Sequence, residues 1–124
     1  MTVLDGFLFL AAYSSRSQSY AQAMRQIEYS PERVLLFGNS DNDVVREVAF
    51  DANAGEGIGL FFPNLCEPLA ATCHSANWRV ETNSQDDVNH PEITEHIKAI
   101  NPRYIIYSGY GGQLVKPHLL DLGI

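Results

Sequence analysis

The sequence predicts an α/β domain built on an open, mainly parallel sheet with helices on both faces. Three observations carry that expectation. Short, continuous apolar runs alternate with helix-period segments along the chain. The runs are uninterrupted, as in strands covered on both sides, rather than alternating apolar and polar. The 124 residues suffice for one domain, and 45% of them are hydrophobic, enough for a core.

"GFLFLAAY" (Gly6–Tyr13) is the first buried strand. "SQSYAQAMRQIEY" follows with Tyr20, Ala23, Met24 and Ile27 on one helical stripe and Ser17 as its N-cap. Pro31 prevents that helix from continuing, and "RVLLFG" is the second strand, closed by Gly38 and Asn39. A short helix is expected around Val44–Phe50, then a glycine-rich loop. "NLCEPLAATCHSANW" reads as a helix with its small and apolar residues inward, and "RVET" as a short strand. "VNHPEITEHIKAINP" has the clearest helical signature. Asn89 is the expected cap, Pro91 falls in the tolerant first turn, Glu92 completes a capping box, and Ile93, Ile97 and Ile100 face the sheet. "RYIIYS" is the last strand, and "KPHLLDLG" begins a short helix. Neither internal repeats nor low-complexity linkers interrupt the pattern.

Composition narrows the function classes. A net charge of −7 with scattered basic residues argues against a nucleic-acid-binding face. No uninterrupted apolar window of about 18 residues suggests a membrane span. The apolar start, Phe7–Ala12, follows Asp5 and lacks a basic leader, so it is read as a strand and not as a secretion signal. Cys66 and Cys73, seven apart on one expected helix, would hold their Cα atoms roughly 10 Å apart, too far for a disulfide. Two reduced, buried thiols favour a cytoplasmic setting.

Candidate chemistry lies beyond the carboxyl ends of the strands, where open α/β sheets collect ligands. Four loops meet that condition: Ser14–Ser19, Asn39–Asp43, Asn83–Val88 and Gly109–Val115. "GEGIG" (Gly55–Gly59) is not a dinucleotide fingerprint, because its third glycine comes too early and no strand precedes it. "DND" (Asp41–Asp43) is not a calcium loop, because Val45 and Arg46 occupy a ligand and the glycine position. His90 and His96 are six apart on one helix and serve neither as ligands nor as a base, and no metal site is expected. In "YSSRSQSY" the hydroxyls of Ser15 and Ser17 and the planar cation of Arg16 stand at a helix start, a setting that suits an anion. In "YIIYSGYGGQLVKP" the glycines at 109, 111 and 112 can present bare peptide groups to a flat ligand.

The pairing of "SSRSQSYAQAM…SPERVLLFG" with "NPRYIIYSGYGGQLVKPHLLDLG" resembles the N-terminal half of the folate-dependent formyltransferases, the superfamily that includes the methionyl-tRNA and glycinamide-ribonucleotide formyltransferases. The resemblance covers most of the chain in arrangement and is most specific in its last twenty or so residues. It implies a single Rossmann-like domain over residues 1–124, as the N-terminal part of a longer enzyme. The cofactor would be 10-formyltetrahydrofolate, its pterin lined by the loop at Gly111, Gly112, Gln113, Leu114 and Val115. The family usually has an apolar residue in place of Gln113 and often a proline in place of Val115. Ser15, Arg16 and Ser17 would face the acceptor, an amine on a small molecule such as an amino sugar or a nucleotide-linked sugar. Family members carry an Asn-x-His motif on a further strand, which polarises the formyl group and stabilises the oxyanion. That motif is not found in this chain, so no catalytic residue is assigned. The alternative reading is a non-catalytic, flavodoxin-like module holding a phosphate ligand or nucleotide at "SSRSQS".

Overall fold

The computed structural model describes residues 2–43 and 63–110. Within them lie β1 (Thr2–Ala12), α1 (Ser15–Gln26), β2 (Tyr29–Phe37), a 3-10 turn (Ser40–Asn42), α2 (Leu69–Ser75), β3 (Val80–Asn83), α3 (Pro91–Ile100) and β4 (Tyr104–Ser108). All strand pairs are parallel, in the order β3-β2-β1-β4. The expected open, parallel, Rossmann-like sheet is therefore present. The expected helix at Val44–Phe50, the glycines at 55–59 and the helix from Lys116 lie outside the described residues.

Strand parity divides the core. Phe9, Ala11 and Tyr13 of β1 and its exit, with Val34 and Leu36 of β2, pack under Ala21 of α1 and Leu69 and Cys73 of α2. Leu8, Leu10 and Ala12, with Leu35 and Phe37, pack against Ile93 and Ile97 of α3. The order runs outward from β1 to β3, then returns across β1 to β4. Right-handed crossovers must then put α1 and α2 on one face and α3 on the other.

β1 starts earlier than expected because it carries a bulge. Its register moves from Leu4 opposite Pro31 to Leu8 opposite Arg33. Gly6 adopts φ +78° there, donates its N–H to Glu32 Oε2 (3.2 Å), and accepts from the Arg103 N–H (2.8 Å). A side chain at Gly6 would meet Arg103 at 2.9 Å. β2 also starts earlier and includes Pro31, which lies before the part of β2 that β3 pairs, Val34–Phe37.

The helices correct several sequence expectations. In α1 the N-cap is Ser14, not Ser17; Ser14 Oγ accepts from the Ser17 N–H. The buried face is Ser17, Gln18, Ala21 and Gln22, whereas Tyr20 is 45% and Ile27 60% exposed. The inward turn is set by hydrogen bonding rather than apolar spacing. Gln18 Nε2 donates to the carbonyls of Leu65 (3.3 Å) and Glu67 (2.9 Å). Gln22 Nε2 donates to the Asn64 carbonyl (2.7 Å), and its Oε1 accepts from the Asn64 N–H (2.6 Å). Amides paired this fully can be buried without penalty.

α2 spans only Leu69–Ser75, because Pro68 is held extended at its start. Cys66 therefore sits in the preceding turn, half-buried, and only Cys73 is a buried helical thiol; both are free. The start of α2 is capped from afar: Asp43 accepts from the N–H groups of Leu69 (2.6 Å) and Ala70 (2.9 Å). In α3 the cap is His90, one residue later than Asn89, with its Nδ1 accepting from the Glu92 N–H (3.1 Å). Pro91 occupies the first turn, and Ile93 and Ile97 are buried, as expected. No helix among the described residues is long and apolar enough to cross a membrane.

Candidate functional site

The reversal in strand order puts the topological switch point between the carboxyl ends of β1 and β4. Three serines join there. Ser17 is fully buried and Ser108 is 1% exposed. Ser17 Oγ lies 2.9 Å from Ser108 Oγ, 3.0 Å from Ser14 Oγ and 3.3 Å from the Ser108 carbonyl. A hydroxyl has one proton. If Ser17 donates to the Ser108 carbonyl, the hydroxyls of Ser14 and Ser108 donate to Ser17, and no capacity is left over. The cluster ties the first turn of α1 to the end of β4.

Of the acceptor-facing candidates, Ser17 is thus interior, while Ser15 and Arg16 are exposed on the first turn of α1. The Arg16 side chain makes no hydrogen bond or ion pair among the described residues. Gly111, Gly112, Gln113, Leu114 and Val115 lie outside the described residues. The described start of that segment is close-packed: Gly109 is buried, and a side chain on it would run into the Tyr107 hydroxyl.

Beside the switch point, a cleft of about 570 Å³ opens over the ends of the three strands on the β3 side. Tyr13 contributes from β1, Gly38, Asn39 and Ser40 from the exit of β2, and Thr82, Asn83 and Ser84 from β3. Asn39, Ser40, Asn83 and Ser84 fall in two of the four loops expected to gather a ligand, and Tyr13, Gly38 and Thr82 lie just outside them. Gly38 takes φ +111° and donates its N–H to the Asn83 carbonyl (2.9 Å). It must be glycine for a second reason: a side chain would strike the Tyr110 hydroxyl. Tyr110 packs edge-on against Phe37, with ring centroids 5.8 Å apart. Its hydroxyl is buried with no hydrogen-bond partner among the described residues.

Tyr13 is 5% exposed and lines the cleft, yet its hydroxyl has no partner among the described residues. Burial, then the nearby Asp43 carboxylate, raises its pKa above the ordinary tyrosine value, so it stays a neutral donor. Burial and Asp87 act likewise on Tyr107.

Behind the cleft runs a polar relay on the α3 face. Arg33 of β2 grips Glu81 Oε2 with Nε (3.2 Å) and a terminal nitrogen (2.8 Å). His96 Nε2 lies 3.2 Å from Glu81 Oε1, and its Nδ1 3.3 Å from Asn83 Nδ2. Asn83 Oδ1 accepts from the Gln85 N–H (3.0 Å), which fixes the amide with Nδ2 toward the ring. His96 Nδ1 is then the acceptor, and the Nε2 proton points to Glu81. Burial works against the Glu81 charge, but the hydrogen bond from His96 and the Arg33 guanidinium outweigh it and hold the carboxyl below its usual range.

Sequence reasoning missed this relay. Glu92, one turn before His96 on α3, accepts from Gln85 Nε2 (3.1 Å) and takes no part in it. The signal was the alternation of Glu81 and Asn83 on one face of a short strand, but reading it requires the β2–β3 register. No group of three His, Cys, Asp or Glu among the described residues could hold a metal ion. The described lining of the cleft offers hydroxyls and carboxamides, groups suited to neutral hydrogen bonding.

No family model matches the chain, and comparison with characterised proteins gave no significant match.

Proposed function

We propose that the chain is a formyltransferase-like domain that binds 10-formyltetrahydrofolate for formyl transfer to an amine acceptor. The observation that supports this reading is the Ser14–Ser17–Ser108 cluster. By tying the end of β4 to the first turn of α1, it makes the glycine-bearing segment after β4 begin at the switch point, beside Arg16. On this reading the peptide groups of Gly111–Val115 hold the folate, and Arg16 holds an acceptor with an anionic group. The acceptor is a small amine, an amino sugar or a nucleotide-linked sugar. Ser17, whose hydroxyl is committed inside the protein, is not available to grip it; Ser15 and Arg16 carry that role. The same commitment weakens the flavodoxin-like alternative, which needs those hydroxyls for a phosphate.

Calorimetric titration with 5-formyltetrahydrofolate, a stable reduced folate, tests the proposal. Saturable binding is expected, lost in Gly112→Val and retained in Arg16→Ala. Absence of binding by the unmodified chain, or unchanged affinity in Gly112→Val, refutes it.

A further inference from the structure

The cleft over β2 and β3 has a composition of its own. Six of its seven described lining residues carry a hydroxyl or carboxamide, and none of the seven carries a charge. Its volume falls within the range of small-molecule sites. The hydroxyls of Ser40, Thr82 and Ser84 have no protein partner among the described residues, and neither does that of Tyr13. Tyr13 is the decisive group. Its body is almost wholly buried and it is held neutral, while its hydroxyl, without a partner among the described residues, opens on the cleft it lines. A neutral phenol presented this way can donate to and accept from a ligand.

The cleft disfavours anions. Among the described residues no Lys or Arg lines it, Asp41 and Asp43 follow Ser40 in the chain, and the chain carries a net charge of −7. A flat apolar ring would leave the hydroxyls of Tyr13, Thr82 and Ser84 unmatched, which costs affinity. A ligand that both donates and accepts at several points on a compact ring satisfies them. The amide of Asn83 is held in one orientation by His96 and Gln85, so its presentation to such a ligand is fixed before binding.

We infer that the cleft formed by Tyr13, Ser40, Thr82, Asn83 and Ser84 is a binding site for a neutral polyhydroxylated ring, a sugar moiety. The inference stands on the cleft alone and does not require folate binding or formyl transfer.

The test uses the isotopically labelled 124-residue chain, without folate, and follows backbone amide resonances during titration. The probes are uridine, methyl α-D-glucopyranoside and inorganic phosphate. Saturable shifts at Gly38, Asn39, Ser40, Asn83 and Ser84 are expected with at least one neutral probe and not with phosphate. Thr82→Val, which removes one hydroxyl from an exposed edge position, should weaken binding roughly three- to tenfold. Ser84→Leu, also exposed, should abolish it while thermal unfolding is unchanged. The inference is overturned if neither neutral probe gives saturable shifts. It is also overturned if phosphate alone gives them, or if the sugar response survives in Ser84→Leu. A sugar response without folate binding would leave this site standing and remove the formyl-transfer proposal; the reverse would do the opposite.

Discussion

Replacing Ser17 by alanine removes one buried oxygen from the serine cluster and leaves another stranded. Ser108 Oγ, on a residue 1% exposed, loses its 2.9 Å partner, and Ser14 Oγ loses a 3.0 Å contact but keeps the Ser17 N–H. An unsatisfied buried hydroxyl costs ~1–3 kcal/mol, so the expected loss of stability is about 2 kcal/mol. With a urea slope of ~1–3 kcal/mol per molar, the unfolding midpoint should fall by about 1 M. Ser108→Ala should cost less, about 1 kcal/mol, because Ser17 Oγ keeps the Ser14 hydroxyl and the Ser108 carbonyl. The double variant leaves no Ser108 hydroxyl to be stranded, so it should lose about 2 kcal/mol and not the sum of about 3. Ser19→Ala is the control; its Oγ bonds only the Ser15 carbonyl at the surface, and a change under ~0.5 kcal/mol is expected. Additive single losses, or a Ser17→Ala variant as stable as the control, would refute the claim that the two serines lock α1 to β4.

Gly38→Ala should destabilise the fold by more than ~1 kcal/mol, because φ +111° is strained for any other residue. It should also displace Tyr110, altering the near-ultraviolet circular dichroism of the tyrosines. Glu67 is depressed below its ordinary 4.5: burial opposes its charge, but hydrogen bonds from Arg25 and Thr72 prevail. Glu81 is depressed likewise. The folded state then binds fewer protons than the unfolded state. The stabilisation is complete above about 4.5 and disappears as pH falls through the folded values. Urea midpoints measured downward from pH 6 should decline below that point, and less steeply in Glu67→Gln. Burial, with Asp43 nearby, pushes the Cys73 thiol up to about 12. A thiol-specific chromogenic reagent at neutral pH should therefore label Cys66 in the native chain and Cys73 only on unfolding.

The layered arrangement was legible because continuous apolar runs such as Leu8–Ala12 and Val34–Phe37 are buried on both faces. α3 was legible because Ile93 and Ile97 share a stripe behind Pro91. The inward face of α1 was not. Gln18 and Gln22 point inside to meet carbonyls more than forty residues away, and no local periodicity reports such a partner. Apolar spacing instead favoured Tyr20 and Ile27, which face solvent. The rim loops were identifiable in advance, since strand ends follow from strands. Their grouping was not: the approach of Asn39 to Asn83, and of Glu81 to His96, depends on strand order and register, which the local pattern does not encode.

The glutamine pair of α1 sets a rule for drift in the 64–67 stretch. Gln18 and Gln22 hold its main-chain atoms. Side-chain identity at Leu65 is thus invisible to the grip, and mutations there should accumulate freely. Gln22 cannot be exchanged with the same ease, since its one carboxamide both donates to and accepts from Asn64.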